Sequence, residues 1–375
     1  MSIGLCMIVK NEAHIIEATL QNVCDKVPLA YWVISDTGST DDTKERVRAF
    51  FEAKNIPGEV VEHEWCDFAY NRTKALECAY QKTDMLMLMD ADDSIVGKIP
   101  FPKWTKDKYD VVFGSDFSYK RPMFITNRKK WKYTGVLHEF LEADGPRTEG
   151  AIEGDYHIVS GRSGARSKNE NKYADDAEIL AKAFATEPRS DLKTRYAFYC
   201  GQSYKDAKNT AKAVEWYQRC LDLNGWNQEK YYACTQLGEL LEKTDLEKAQ
   251  FYWSKSVEYD PERIEGIVLL TAHFYAEKNH ILVNALYHKF KDYNKNPKGK
   301  LFVTLNFYDL DLEFYNSISA FYARDLQSGY ECCKKIILKC KREDRVAQTL
   351  KNIEFYKECL SKDKQFIRVL KQRGV

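Results

Sequence analysis

Several features that would direct a first interpretation are scarce or missing in this sequence of 375 residues. The 57 basic and 56 acidic residues leave a net charge of +1, so no bulk field favours nucleic acid or an anionic membrane. No run approaches the roughly 18 apolar residues that a transmembrane helix needs. The beginning, MSIGLCMIVKNEAHIIE, lacks the basic segment of a signal peptide. We therefore expect no nucleic-acid partner and no membrane span.

The 11 cysteines are scattered among apolar residues, and no CxxC pair occurs. Cysteines in such surroundings usually act as small hydrophobic residues, and disulfides are rare in the cytosol. We interpret them as reduced thiols and expect a globular, cytoplasmic protein. A chain of this length is long for a single hydrophobic core, so two domains are expected.

The first part of the sequence alternates short apolar runs with segments of helical periodicity. Strands are predicted at residues 3–9, 31–35, 59–65, 85–89 and 109–114, and helices at 11–24, 39–55 and 71–83. The first, second and fourth apolar runs are continuous, which is typical of a parallel sheet covered on both faces. This alternation predicts an α/β sandwich. Ser39, with Asp42 three residues later, is predicted to cap the second helix.

An internal repeat marks the second part, where helix follows helix from about residue 186 onward. Three segments align on Ala213, Ala249 and Ala285, each 36 residues after the one before, and Gly201 and Gly238 occupy the helices that precede the first two. Small residues at a fixed position, followed by aromatic residues, let paired helices pack closely. The pattern resembles the tetratricopeptide repeat, whose period is about 34 residues.

A polar, basic segment that contains glycine, HIVSGRSGARSKNENKY at residues 157–173, lies between the two parts. It is either an inert linker or a loop that closes over a phosphate beside a carboxylate site, and both interpretations stay open. We expect one domain over residues 1–175 and an all-α, tetratricopeptide-like repeat domain over residues 186–375.

A buried strand runs into a cluster of carboxylates in MLMLMDADDS, residues 85–94. Clustered carboxylates repel one another, and each needs solvent, hydrogen bonds or a cation to stay ionised. Asp36 follows another predicted strand, and open α/β sheets bind ligands at the carboxyl ends of their strands. A single aspartate there often serves only a turn or a helix cap. An Asp-x-Asp pair favours Mn²⁺ or Mg²⁺, which bridges carboxylates to substrate phosphates.

Five segments in this order, LCMIVKNEAHIIEATLQNV, VISDTGSTDDT, DFAYNRTKAL, MLMDADD and GVLHEFLE, resemble the family 2 glycosyltransferases of the GT-A fold. The resemblance is closest to the branch that carries C-terminal tetratricopeptide repeats, and it extends over the whole chain. It implies an α/β GT-A nucleotide-sugar-binding sandwich followed by an all-α helical repeat domain. It also implies an inverting hexosyltransferase that uses Mn²⁺ or Mg²⁺ and a nucleoside-diphosphate sugar, with a UDP-sugar as the expected donor.

The resemblance assigns residues to the nucleotide. Asp36 is expected to recognise the base, usually uracil through its ring N–H, although Thr37 stands where the family pattern has a second acid. Val9 and Asn11 would line the same base pocket. Arg72 would lie near the base and the phosphates; without the resemblance it would be interpreted as a solvated helix charge.

The resemblance also assigns residues to the metal. Asp90 is expected to contact the ribose or a metal-bound water, and Asp92 to ligate the cation directly. His157 lies where GT-A enzymes often place a histidine that completes the metal shell, although a lone histidine is more often structural. Asp93 would face the acceptor or serve as a structural partner.

An inverting transferase needs a carboxylate base that takes the acceptor's proton. Glu139, in WKYTGVLHEFLE, has this role by its position in the motif. The alternative is an ion pair at a strand end, with His138 as a packed polar residue. Arg162, Arg166 and Lys168 would neutralise the leaving diphosphate once their loop closes.

The repeats would offer an extended concave surface to a protein or glycan acceptor, or mediate a homodimer. Two other functions stay open. A nucleotidyltransferase would use similar carboxylates, but it usually brings a glycine-rich phosphate loop where this chain has LCMIVKNEAH. A non-catalytic scaffold, whose repeats bind a protein partner, is the other alternative, and the intact DADD sequence argues against it.

Overall fold

A computed structural model describes residues 1–161, 163–293, 297 and 299–372 of the chain. The chain forms two compact units: Met1–Gly225 with Gly299–Leu301, and Trp226–Lys298 with Phe302–Val375. The first unit extends beyond the sheet, because helices that follow residue 172 pack with its residues. The domain boundaries expected from the sequence stay a prediction.

The first unit is the predicted α/β sandwich, which is confirmed. Its strands are β1 (Ile3–Val9), β2 (Leu29–Asp36), β3 (Gly58–Glu62), β4 (Met85–Leu88), β5 (Ser94–Gly97), β6 (Lys108–Phe113), β7 (Phe117–Thr126), β8 (Trp131–Thr134), β9 (Phe140–Ala143), β10 (Glu149–Ala151) and β11 (Tyr156–Val159). Its helices are α1 (Ile16–Lys26), α2 (Thr43–Ala53), α3 (Phe68–Ala79), α4 (Lys172–Thr186), α5 (Ser190–Asp206) and α6 (Thr210–Asp222), and a 3-10 turn spans Ala165–Lys168.

The main sheet has the strand order β3-β2-β1-β4-β7-β6-β11-β5. The strands β1 to β4 run parallel, whereas β7 is antiparallel to both of its neighbours. Successive side chains of a strand point to opposite faces. Met85 and Met87 of β4 belong to one hydrophobic cluster, and Leu86 and Leu88 belong to another. The central strands are therefore covered on both faces, as their continuous apolar runs predicted.

The predicted cap of α2 is wrong. The helix begins at Thr43, after Asp42. Ser39 instead accepts the backbone N–H of Asn11 on its Oγ at 2.9 Å, and its own N–H donates to Asp36 Oδ1 at 2.8 Å. Through these two hydrogen bonds, Ser39 connects the loop that follows β1 to the loop that follows β2.

The second unit is helical, which confirms the all-α domain expected there. Its helices are α7 (Asn227–Leu241), α8 (Leu246–Tyr259), α9 (Glu265–Ala276), α10 (His280–Phe290), α11 (Asp311–Tyr322), α12 (Leu326–Lys339), α13 (Glu343–Asn352), α14 (Lys357–Lys362) and α15 (Lys364–Gln372). Every helix among the described residues is too short or too polar to cross a bilayer. The tetratricopeptide character of the repeats stays a prediction.

Glycines of the expected repeat lie where two helices approach closely. A Cβ atom on Gly238 of α7 would come 2.2 Å from Nε1 of Trp253 on α8. In the first unit, a Cβ atom on Gly201 of α5 would come 2.9 Å from Cδ1 of Tyr217 on α6. Both aromatic side chains are buried. The same contact between glycine and an aromatic ring thus recurs in two successive helix pairs.

The distances at which an added Cβ atom would meet these rings predict the stability of two variants. Gly238→Ala should lower the free energy of unfolding by about 1–3 kcal/mol through overpacking, because the ring of Trp253 is already in place. Gly201→Ala should cost less, since its contact is longer and alanine favours a helix by about 0.5–1 kcal/mol. Urea denaturation followed by circular dichroism measures both. Ser254→Ala, on the exposed face of α8, is the control. A Gly238→Ala variant as stable as the Ser254→Ala variant would contradict the close contact of Gly238 with Trp253.

Candidate active site

The carboxyl ends of β1, β2 and β4 lie side by side at one edge of the sheet. Val9 pairs with Asp36 at the last position of the β1–β2 ladder, and Cys6 pairs with Leu88 in the β1–β4 ladder. Asp90 follows two residues after the end of β4. The two acidic clusters predicted from the sequence are therefore brought to the same edge.

Arg72, on α3, binds two of the predicted acids at once. Its Nη2 donates to Asp90 Oδ1 at 2.5 Å, and its Nε lies 2.6 Å from Glu139 Oε1. The side chains of Arg72 and Glu139 are only 14% and 11% exposed, so water screens this ion pair weakly. The ring of Tyr133 lies against the guanidinium, with 5.6 Å between the guanidinium carbon and the ring centroid. The structure thus brings Arg72, Asp90 and Glu139 together.

A second arginine, which the sequence did not predict, completes the surroundings of Asp90. Arg121 lies on β7 and donates from Nη2 to Asp90 Oδ2 at 2.9 Å. The antiparallel pairing of β7 with β4 brings this residue to the site. Both carboxylate oxygens of Asp90 are therefore held by arginines.

These charges separate the acids of the DADD sequence. Burial alone would raise the pKa of Asp90, but Arg72 and Arg121 lower that pKa well below its ordinary value. Burial and the charge of Asp90 raise the pKa of Asp92, and they raise the pKa of Asp93 to about 7. Asp90 is ionised and already paired. Asp92 and Asp93 are the carboxylates whose ionised form a cation would stabilise.

Two buried carboxylate oxygens, Asp93 Oδ2 and Asp36 Oδ2, make no hydrogen bond to any residue that the structure describes. Such unsatisfied atoms are uncommon and point to an ion or a ligand. The oxygen of Asp93, next to Asp92, suits a divalent cation. The other oxygen of Asp36 already accepts the N–H groups of Gly38 and Ser39 at 2.9 and 2.8 Å, so Oδ2 is left for a donor N–H.

The segment before the 3-10 turn lies directly over Asp92. A Cβ atom on Gly161 would come 1.9 Å from the Asp92 carbonyl oxygen, so only glycine fits there. The N–H of Gly164 points at Asp92 Oδ2 at 3.4 Å, and the N–H of Ala165 donates to Glu12 Oε1 at 3.2 Å. Glu12 was not predicted as a site residue, although it directly follows Asn11 within the first family segment. Closure of this segment over a phosphate stays a prediction.

The two residues predicted to line the base pocket lie beside Asp36. Val9 is buried in the core, and its carbonyl oxygen accepts the N–H of Thr37 at 2.9 Å. Asn11 has a φ of 58°, and its Oδ1 accepts the N–H of Thr40 at 2.7 Å. Both residues thereby shape the loop that carries Asp36. Their contact with a base stays a prediction.

His157 lies on β11, opposite Val96 of β5. The strand end nearer to Asp92 pairs Val159 with Ser94, two ladder positions away. Among the described residues, no contact joins His157 to Asp92, and no group of three or more His, Cys, Asp or Glu side chains is arranged to hold a metal ion. The metal role of His157 stays a prediction.

Of the three basic residues predicted near the diphosphate, Arg162 lies outside the described residues, as does the side chain of Lys168. Arg166 is described, and its guanidinium forms an ion pair with Asp176. The same guanidinium covers the ring of Phe68, with its carbon 4.9 Å from the ring centroid. The charge of Arg166 is therefore already neutralised within the protein.

The ring of His138 stacks on that of Tyr199, with centroids 3.9 Å apart and planes 6° from parallel. Its carbonyl oxygen accepts from Arg195 Nε at 2.7 Å. Although part of the ring is exposed, burial of its stacked face and the charge of Arg195 lower the pKa of His138. His138 is therefore neutral at pH 7, which is consistent with the packed polar role considered for it.

Comparisons with known proteins give one family match. Residues 5–142 match the family model described as Glycosyl transferase family 2. A comparison with curated protein sequences finds no significant match.

Two solved structures are similar to the chain. The mannosyltransferase PcManGT from Pyrobaculum calidifontis, in complex with GDP-Man and Mn²⁺, is 14% identical, with a TM-score of 0.37, and the match covers 84% of this chain and 86% of that one. S. aureus TarS 1-349 is 11% identical, with a TM-score of 0.33, covering 86% and 92%. Both TM-scores lie below 0.5, so no functional argument is taken from these two structures.

The ion pairs of Arg72 predict its effect on stability. Arg72→Met leaves Glu139 without its cation and Asp90 with Arg121 alone, and it should lower the free energy of unfolding by about 3–5 kcal/mol. Adding Glu139→Gln should restore part of this loss, because one of the unpaired charges is then removed. Thermal denaturation of the single and double variants measures both effects.

Lys74→Met is the matched control for Arg72→Met. Lys74 lies on the same helix and pairs with Glu77, but both side chains are well exposed. Its melting temperature should stay close to that of the wild type, since exposed pairs add little stability. An Arg72→Met variant as stable as the Lys74→Met variant would show that the buried ion pairs contribute nothing.

Proposed function

We propose that the chain is a metal-dependent, inverting glycosyltransferase. The premise is the match of residues 5–142 to the Glycosyl transferase family 2 model. The enzyme would move a sugar from a nucleoside-diphosphate sugar to a hydroxyl group of a glycan or protein. The observation that supports this best is the ion-paired set of Asp90, Arg72 and Glu139 at the carboxyl edge of the sheet. Asp36 and Asp92 lie at the same edge.

UDP is the nucleotide that we propose for the donor. The unsatisfied Asp36 Oδ2 is an acceptor, and the ring N–H of uracil is a donor. The backbone N–H groups of Gly38 and Ser39 hold the other oxygen of the carboxylate and fix its orientation. The Asp36 carboxylate is thus preorganised for a base that presents one N–H group.

Asp92 is the residue that we propose to hold Mn²⁺ or Mg²⁺, and the unsatisfied oxygen of Asp93 supports a cation beside it. Such a cation, when bound, would neutralise the diphosphate of the donor. We keep His157 as a second ligand of the cation on the basis of the family resemblance alone. Asp90, fully occupied by its two arginines, would contact the ribose rather than the metal.

Glu139 is the base that we propose. Its Oε1 lies against Arg72, and its Oε2 makes no hydrogen bond within the described part of the chain. Oε2 would take the proton of the acceptor hydroxyl while the acceptor oxygen bonds to the anomeric carbon. The bond from that carbon to the phosphate oxygen breaks, and the nucleoside diphosphate leaves. Arg72 would hold Glu139 in position throughout.

The helices from α5 onward would form the tetratricopeptide-like repeat domain that we propose over residues 186–375. A helical repeat array offers an extended surface, which we propose for recognition of the acceptor or of a second copy of the chain. The recurring contact of glycine with an aromatic ring supports a repeat origin for these helix pairs.

Recognition of the base is tested by Asp36→Asn. Asparagine retains the acceptor for Gly38 and Ser39 but replaces the free acceptor with an NH₂ donor. Binding of UDP should weaken by about 1–3 kcal/mol, or roughly 5- to 150-fold. Isothermal titration calorimetry with UDP and Mn²⁺ measures the change. The control, Asp42→Asn, alters an exposed acid of the same loop and should bind UDP as the wild type does. Unchanged binding by Asp36→Asn would exclude this contact.

The roles in catalysis are tested by Glu139→Gln. This variant should release UDP from UDP-hexoses, in the presence of Mn²⁺, at least about 100-fold more slowly, while UDP still binds. Glu142→Gln is the control, since Glu142 lies three residues on and pairs with Arg189 instead. If the wild type releases no UDP from any UDP-hexose, a UDP-sugar transferase is excluded and a non-catalytic scaffold becomes the better interpretation.

A further inference from the structure

A cavity of about 400 Å³ lies in the first unit, next to the site but not part of it. Three segments form its walls: the residues that begin α3, the loop before Glu139, and the 3-10 turn with α4. The lining residues that matter below are Trp65, Asp67, Phe68, Leu137, Lys172 and Asp175. The volume is within the range of roughly 300–1,000 Å³ that is typical of small-molecule sites.

Trp65 gives the cavity a flat apolar wall. The indole meets the ring of Phe68 edge-on, with 4.8 Å between centroids at 84°, and 43% of the residue stays exposed. An exposed indole offers a large, rigid apolar face on which a ligand can stack. The C–H face of a sugar ring is a ligand surface of matching shape and polarity.

Charged residues on the cavity lining argue against an anionic ligand. Three acids, Asp67, Asp175 and Asp176, stand against two bases, Arg166 and Lys172, so the formal charge is +2 − 3 = −1. One of the two bases, Arg166, is already paired with Asp176. A phosphate or a carboxylate would therefore meet no excess of positive charge.

The same lining offers acceptors to hydroxyl groups. Asp67 Oδ1 accepts the N–H of Tyr70 at 2.7 Å, and Asp175 Oδ2 accepts from Asn169 Nδ2 at 2.9 Å. The second oxygen of each aspartate makes no hydrogen bond to a residue that the structure describes. An ionised carboxylate only accepts, so its natural partner here is a hydroxyl donor.

Several residues that line the cavity are close in sequence to the residues that we propose for the reaction. Leu137 precedes Glu139 by two residues, and Phe68 precedes Arg72 by one turn of α3, on the same face of the helix. Arg166 lines the cavity, while Gly164, two residues before it, contacts Asp92. The cavity is thus bounded by the elements that carry both Glu139 and the cover of Asp92.

We propose that this cavity is the acceptor subsite, and that the acceptor is a neutral saccharide whose ring stacks on Trp65 and whose hydroxyl groups donate to Asp67 and Asp175. This inference rests on the proposed transferase function and extends it by naming the chemical class of the acceptor. One saccharide hydroxyl loses its proton to Glu139 as its oxygen bonds to the anomeric carbon of the donor.

The test uses the full-length protein with Mn²⁺ and UDP, and saturation-transfer NMR with four neutral disaccharides: lactose, maltose, cellobiose and diacetylchitobiose. At least one should bind the wild type. Trp65→Ala should weaken that binding at least about tenfold, because stacking and its buried area are lost. Ile179→Trp, at an exposed position of α4 that lines the cavity, should block binding by filling the space.

Trp226→Ala is the control, because Trp226 is also exposed, at 51%, but does not line the cavity. Calorimetry with UDP on the same samples shows that each variant is folded. Disaccharide binding that is equal in the wild type, Trp65→Ala and Ile179→Trp would overturn the inference. Glucose 1-phosphate is measured in the same way as an anionic comparison. If it binds and the neutral disaccharides do not, or if no saccharide binds, the inference is overturned as well.

The transferase function is judged separately, by release of UDP from UDP-hexoses into water, without any disaccharide. Release by the wild type together with no disaccharide binding would leave the transferase standing and remove the acceptor subsite. If no UDP is released with or without the disaccharides, while Trp65→Ala still loses disaccharide binding, the UDP-sugar transferase is removed and a saccharide-binding cavity is left.

Discussion

The ion pairs of Arg72 are the interaction on which the rest of the site depends. A single guanidinium holds Asp90, at the end of a sheet strand, and Glu139, in the β8–β9 hairpin, against helix α3. Each of these acids would be costly to bury alone, because a carboxylate taken out of water needs a partner. The contact with Asp90 is a hydrogen bond, whereas Glu139 is held by its charge and by its distance of 2.6 Å from Nε. Lysine, as a point charge, would not define the position of Glu139 in the same way.

This arrangement divides the acids of the site by charge. Both carboxylate oxygens of Asp90 are bound by Arg72 and Arg121, which keep it ionised, and its charge raises the pKa of Asp92 and Asp93. Asp92 and Asp93 stand next to it without such partners, and their ionisation is opposed by burial. A cation relieves that opposition most strongly at Asp92 and Asp93. This difference between Asp90 and its neighbours is the reason for proposing Asp92, rather than Asp90, as the metal ligand, although all three acids lie within four residues of sequence.

What the sequence predicted and what it missed have a common physical basis. The strands β1, β2 and β4 were predictable because strands buried on both faces have continuous apolar runs, and parallel strands bring their carboxyl ends, with Asp36 and Asp90, to one edge. Arg121 was not, because it lies on an antiparallel strand whose pairing is a long-range choice. The prediction that Ser39 caps α2 was wrong because its hydroxyl accepts the N–H of Asn11, in the loop after β1, instead of an N–H of the helix. No local pattern shows such competition.

The 3-10 turn Ala165–Lys168 explains why the cavity belongs with the site. Gly161 allows the backbone to touch Asp92, and no side chain would fit between them. A chain that passes so close to Asp92 then places Arg166 against Phe68 and Asp176 within a few residues. The cover of the proposed metal site and one wall of the cavity are thus the same short segment. The backbone contact of Gly161 with Asp92 and the contact of Arg166 with Phe68 therefore lie only five residues apart in the chain.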